Sequence, residues 1–237
     1  MAVTMNQVML RTDALAKSFT LHLQGGVRIP VLSGVGLNLH EGECVVLSGP
    51  SGVGKSTLLR SLYGNYRAEA GSIVIRHHGE MVDLAGADPR TVLAIRHDTL
   101  GYVSQFLRVV PRVPALDVVA EVRIGRGATP DDARRTATEL LLRLNIPRRL
   151  HALPPATFSG GEQQRVNLAR GFIGGHPVLL LDEPTASLDA ENRAVVVAMI
   201  NEAKTRGIAI LAICHDIEVR DAIADRLFPL KPLQDAA

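Results

Sequence analysis

The sequence predicts an α/β fold with a mostly parallel core sheet, an antiparallel β flank and an inserted helical lobe. Three observations predict it. The apolar runs Cys44–Leu47, Val178–Leu181 and Ile208–Cys214 lack polar alternation, the pattern of strands buried on both faces of a parallel sheet. Gly49–Thr57 (G-P-S-G-V-G-K-S-T) follows the first run and opens onto the helix-like Leu58–Leu62, the order of a phosphate-binding loop. Between residues 106 and 155 the pattern turns helical, with Pro and Gly dividing the segments.

Taken in order, Val8–Phe19 reads as an early strand and a turn, and Gly25-Gly26 within Leu21–Leu32 as a hairpin. Val35–Leu39 alternates loosely before Glu41-Gly42-Glu43 turns the chain into the strand at Cys44. Gly71–Leu84 reads as a short strand pair, which completes the antiparallel flank. Its His77-His78 suggests a metal, yet adjacent strand residues point to opposite faces, so a polar hairpin is expected. Thr99–Gln105 is a further strand ending in a polar Gln. The helical lobe holds Ala115–Arg123 and Asp131–Leu144, the second started by Thr129-Pro130, and Pro154-Pro155 closes it. Ser159–Phe172, Asn192–Lys204 and Val219–Ala224 read as helices, and 231–237 as a frayed tail. The expected organisation is one domain over 1–230 with its lobe at about 106–157.

Composition narrows the function. Aromatic residues make up 3% and Trp is absent, which argues against a base-stacking nucleic-acid binder. Twenty-six basic against 24 acidic residues leave +2, too little for a field favouring DNA or acidic lipid. Cys44 and Cys214 lie in apolar runs and read as core packing, with neither the count nor the spacing of a disulfide framework or zinc site. No signal peptide is evident and the apolar runs are too short to span a bilayer, so a soluble, cytoplasmic protein without a membrane span is expected.

The chemistry begins at the loop. Gly49, Gly52 and Gly54 let the backbone of Gly49, Pro50, Ser51, Gly52, Val53 and Gly54 fold into a nest of inward N–H groups. Lys55 brings a charge to the β- and γ-phosphates, Ser56 is a hydroxyl ligand for Mg²⁺, and Thr57 continues the helix start. A nucleoside triphosphate is implied. Val178–Leu181 ends in Asp182 and Glu183; the first is placed to hold Mg²⁺, the second to orient and deprotonate a water. A solvated acid pair is the simpler alternative. Ser159-Gly160-Gly161 begins a second anion-binding helix start, although the chain has only one loop lysine. That suggests a site serving another subunit's nucleotide.

The ordered set resembles the ATP-binding-cassette (ABC) ATPases: Gly49–Ser56 as Walker A, Gln105 as Q-loop, Ser159–Gln163 as signature, Val178–Glu183 as Walker B, Ser187–Asp189 as D-loop and His215 as switch histidine. The resemblance covers nearly the whole chain. It implies ATP and Mg²⁺ as ligands and two cassettes, identical or different, closing head to tail on two ATP molecules. It also implies that Ser159 and Gly161 reach the partner's γ-phosphate and that Gln105 senses Mg²⁺ and the attacking water. His215 would contact the γ-phosphate, Asp189 would belong to the nucleotide interface, and Phe19 would stack on adenine. Phe19 could equally be a core residue, Gln105 a strand-end polar residue and His215 a structural histidine. One departure stands out: the signature begins F-S-G-G-E where the family usually has L-S-G-G-Q. Glu162 adds a negative charge that the dipole of the first helical turn accommodates.

Within the family the chain is similar to the ABC subunit of the bacterial carbon–phosphorus lyase system. The carrying stretches are Leu58–Tyr63, Ser104–Arg112 and Phe158–Asn167. That likeness implies soluble lyase-complex partners and support for forming ribose 1-methylphosphonate 5-triphosphate from ATP and methylphosphonate. The competing class is the ATPase subunit of a lipoprotein or macrolide exporter. DNA-repair ATPases would need long heptad insertions or zinc cysteines, which the chain lacks. Phe106–Arg112 (F-L-R-V-V-P-R) is the expected partner-contact stretch, exposed and apolar, with Leu107 at its centre.

Overall fold

In a computed structural model, which describes residues 7–21, 25–107 and 111–233, two sheets and a helical insert share the chain. The strands β1 (Val8–Leu21) and β2 (Val27–His40) form a long antiparallel hairpin, and β3 (Cys44–Ser48) leads into α1 (Lys55–Leu62). The pair β4 (Ala70–His77) and β5 (Glu80–Asp83) follows, then α2 (Pro89–Asp98) and β6 (Leu100–Val103). The insert holds α3 (Ala115–Gly125), α4 (Pro130–Arg143) and the short α5 (Arg148–His151). The chain ends through α6 (Gly160–Ile173), β7 (Val178–Asp182), α7 (Ala190–Thr205), β8 (Ala209–Ile213), α8 (Ile217–Ile223) and β9 (Arg226–Pro229).

The antiparallel sheet runs β2-β1-β4-β5 and the parallel sheet β6-β7-β8-β3-β9. The expected parallel core and antiparallel flank are both present. The apolar runs are continuous because each central strand is covered on both sides. Val45 and Leu47 of β3, with Leu180 of β7 and Leu211 of β8, face a core shared with the antiparallel sheet and α1. Their neighbours Cys44, Val46, Leu181 and Ala212 face the opposite core, shared with α6 and the helical insert. Cys44 is fully buried, and burial pushes the Cys214 thiol up to about 12, so both act as apolar packing residues. In the insert, Val119 of α3 and Ala137 and Leu141 of α4 pack in the same core as Val166 and Ala169 of α6.

One expectation needs correction, and two elements were not expected. The turn expected within Val8–Phe19 is a bulge, with Ala14 at φ 47° and β1 continuing to Leu21. Residues 85–98, given no element from the sequence, hold α2, whose start is nevertheless signposted: the Asp88 carboxylate accepts from the N–H groups of Arg90 and Thr91, and Pro89 occupies the first turn. The sheet also has an unanticipated edge, β9, paired parallel to β3. The expected hairpin and tail fall partly on residues 22–24 and 234–237, outside the described residues. Among the described residues no helix is long and apolar enough to cross a membrane.

Candidate active site

The parallel order places the C-terminal ends of β3, β7 and β8 side by side, and the polar groups that follow them converge there. After β3 the loop glycines take φ values that other residues avoid: 138° at Gly49, 80° at Gly52 and 103° at Gly54. Packing reinforces the requirement, since a Cβ on Gly54 would lie 2.9 Å from Val31 and one on Gly49 2.6 Å from the Leu230 carbonyl oxygen. Lys55 is buried, and its Nζ donates to the carbonyl oxygens of Gly49 and Pro50, each at 2.8 Å. The ammonium is thereby held against the loop it charges. Gly54 caps α1 in the left-handed conformation, so no side-chain acceptor competes for the first N–H groups of the helix.

Ser56 Oγ donates to Asp182 Oδ1 at 3.1 Å, joining the loop to the end of β7. Asp182 is 1% exposed, and its second oxygen accepts from the Tyr102 hydroxyl at 3.1 Å. Tyr102 has its phenol pushed up to about 12, first by burial and then by the Asp182 charge, so it stays a donor. Sequence reasoning missed it. The available signal was its place in the strand that delivers Gln105. A hydroxyl beside a buried carboxylate is an oxygen-donor set of the kind that would suit Mg²⁺.

Glu183 sits one residue past the strand with φ 54°, a conformation that costs a non-glycine residue energy and must be held from outside. Its N–H bonds the Ile213 carbonyl at the end of β8, and Gln164 on α6 donates to the carbonyls of Glu183 and Pro184. So held, the carboxylate receives His215 Nε2 on one oxygen at 3.0 Å and Gln105 Nε2 on the other at 3.4 Å. Three residues far apart in sequence meet at one carboxylate. Gln105 follows β6, and Asn167 of α6 bonds the carbonyl of Ser104 beside it.

The second glycine-rich helix start differs in setting. Ser159 caps α6 in a full capping box: Glu162 N–H reaches Ser159 Oγ at 3.4 Å, while the Glu162 carboxylate accepts from the Ser159 N–H at 2.9 Å and hydroxyl at 2.7 Å. These bonds hold the Glu162 carboxyl below its usual range. Gly161 is required by its own chain, because a Cβ there would stand 2.8 Å from the Ser187 carbonyl oxygen. Asp189 caps α7, accepting from Asn192 N–H at 2.9 Å and from its side-chain amide at 2.8 Å. Ser159 thus bonds Glu162, and Gly161 lies against the Ser187 carbonyl. Phe19 packs edge-on against Tyr66 with ring centroids 5.1 Å apart, and Lys17 lies over its ring.

The stretch after Gln105 corrects the sequence reading. Phe106 is 72% exposed, whereas Leu107 packs against the core beneath the helical insert, so the apolar exposed residue is Phe106. Arg108, Val109 and Val110 lie outside the described residues.

Comparison with known proteins agrees with this geometry. The sequence profile described as "ABC transporter" matches residues 32–186. The lipoprotein-releasing system ATP-binding protein LolD of Idiomarina loihiensis is 33% identical over 92% of this chain and 93% of its own length. LolD 2 of Caulobacter vibrioides is 39% identical over 86% of this chain and 87% of its own. The macrolide export ATP-binding/permease protein MacB of Marinobacter nauticus is 34% identical over 83% of this chain but only 30% of its own length. Among solved structures, the dimeric ATP-binding cassette MJ0796 bound to ADP and Pi superimposes with a TM-score of 0.85 at 30% identity, covering 94% of each chain.

Proposed function

The chain belongs to the ABC transporter ATPase family, and from that premise we propose that it hydrolyses ATP as one of a head-to-tail pair of cassettes, with residues 1–230 as the ATPase domain. The observation that carries the reading is the convergence of His215 and Gln105 on Glu183 beside the Ser56–Asp182 pair. The loop N–H groups and Lys55 take the phosphates, and Phe19 takes the adenine. Ser56 and Asp182, with Gln105, would hold Mg²⁺, which when bound would neutralise charge developing on the phosphate oxygens. Glu183 accepts the proton as the oxygen of water bonds to the γ-phosphorus and the bond to the ADP oxygen breaks. His215 fixes the Glu183 carboxylate and faces the γ-phosphate. The phosphate contacts of Ser159 and Gly161, and the pairing contacts around Asp189, are supplied to the second cassette; a pair is supported by the dimeric form of the solved relative MJ0796.

Two assemblies compete as the machine this engine serves. The relatives named above work in lipoprotein release and macrolide export, and they support a membrane permease as partner better than they support any other. The carbon–phosphorus lyase reading rests on the sequence of Leu58–Tyr63, Ser104–Arg112 and Phe158–Asn167, and would make the partners soluble subunits that form ribose 1-methylphosphonate 5-triphosphate. Phe106 is the contact residue in both. Affinity purification of the chain from cells grown on methylphosphonate as sole phosphorus source separates them. Soluble lyase subunits in the eluate establish the second reading, and an integral membrane permease establishes the first. Phe106→Asp is expected to retain ATP binding and lose the captured partner; unchanged capture would remove Phe106 from that contact.

A further inference from the structure

We propose that His77, His78 and Asp98 form a site for a divalent transition-metal ion, outside the nucleotide site and independent of it. Adjacent strand residues should point apart, but His78 has left the strand. It has φ 49° and the following Gly79 φ 89°, so the β4–β5 hairpin closes through two residues of positive φ, as in a type I′ turn. That turn brings both imidazoles to one side, with ring centroids 4.1 Å apart. The end of α2 brings Asp98 to the same place: His78 Nε2 lies 3.2 Å from Asp98 Oδ2, and one ligand atom from each of the three residues falls within 4.8 Å of the others. Tetrahedral binding at about 2.0–2.1 Å needs ligand atoms roughly 3.3 Å apart; His78 and Asp98 already meet that spacing, and the set closes when His77 draws in toward them.

The surroundings of the three groups are those of ligands rather than of chance neighbours. His77 Nδ1 is joined to Thr99 Oγ1 at 2.7 Å, which leaves Nε2 as the free donor. Asp98 uses its other oxygen to bond His97 Nδ1 at 2.6 Å, and His97 in turn bonds the Gly125 carbonyl at 2.8 Å. The Arg126 guanidinium pins the backbone carbonyls of His97 and Asp98. Such outer bonds fix ring orientation and carboxylate direction in metal sites. Two imidazoles and one carboxylate suit zinc and its neighbours in the first transition row. A bound ion would tie the antiparallel sheet to the helix that enters β6.

Titration of the nucleotide-free full chain with Zn²⁺, against a chromophoric competitor, tests the site. One Zn²⁺ per chain is expected, with His77→Ala, His78→Ala and Asp98→Asn each weakening binding by at least about ten-fold and Thr99→Val by about ten-fold. Zinc should raise the Tm of the wild type and leave the Tm of His78→Ala at that variant's own metal-free value. Equal affinity in wild type and His78→Ala would overturn the assignment. So would zinc binding that disappears in Asp182→Asn while surviving in His78→Ala.

Discussion

The chain has two glycine-rich helix starts, and they are finished in opposite ways. At Gly54–Lys55 the cap is a glycine in the left-handed conformation, and the buried ammonium of Lys55 is held against the loop. At Ser159–Gly160 the cap is a serine already engaged by the carboxylate of Glu162. Both ends carry the partial positive charge of a helix N-terminus. The first is left open to an anion and surrounded by metal and water-directing groups. The second is satisfied by its own chain, and its glycine answers to Ser187. A phosphate can therefore be bound outright at the first, whereas at the second it has to compete with Glu162. The two helix starts are therefore not equivalent.

The largest expected effect lies at the open end. Glu183→Gln should keep ATP binding and lower hydrolysis by roughly 10²–10⁴, the range for a general base. Single-turnover kinetics with equilibrium ATP binding reads both, and undiminished turnover would remove Glu183 from the role. Lys55→Ala comes next. Loss of the charge-assisted bonds should weaken ATP binding and abolish ATP-driven pairing, measured by sedimentation in Mg²⁺-ATP. If the variant still pairs, the two helix starts are not joined through one nucleotide. Tyr102→Phe should cost less. It removes one of the bonds to the buried Asp182, worth about 1 kcal/mol, so a loss of several-fold in activity is expected, with a rise in the Mg²⁺ concentration for half-maximal rate.

The open site was more legible than the closed one. The loop, Asp182, Glu183, Gln105 and His215 are short motifs whose chemistry requires those residue types, and the parallel strand ends leave them little freedom of place. Tyr102 could be placed in the strand before Gln105 but not on a face of it, because nothing in L-G-Y-V says which face meets Asp182; strand register decides that. The capping box of Ser159 and Glu162 follows from i, i+3 spacing, yet its effect on an anion site emerges only when both groups share one oxygen. In the fold, β3, β7 and β8 declared themselves by continuous apolar runs. The helix α2 and the edge strand β9 did not, because α2 buries only Ile95 and β9 is largely exposed. The polar hairpin expected at His77-His78 is present, but the two rings do not point apart, since a left-handed residue at His78 cancels the alternation that strand geometry imposes.

The smallest effect tests the competition itself. The Glu162 carboxyl is held below its ordinary value by the Ser159 hydroxyl and N–H. A group depressed in the folded state contributes stability above its unfolded value, near 4.5, and loses that contribution as pH falls through the folded value. Glu162→Gln can still accept from Ser159, without titrating. The stability of the wild type relative to Glu162→Gln should therefore be constant above about pH 5 and fall below it, and a difference flat with pH would show that the carboxylate contributes nothing. At neutral pH the same substitution removes a negative charge from the helix start that we propose receives the partner's phosphate. A charge beside a helix terminus is worth about 0.3–1 kcal/mol, so ATP-driven pairing of Glu162→Gln, measured in the Glu183→Gln background, should be about two- to five-fold tighter. Weaker pairing would mean that the carboxylate positions Ser159 for the partner's phosphate rather than opposing it.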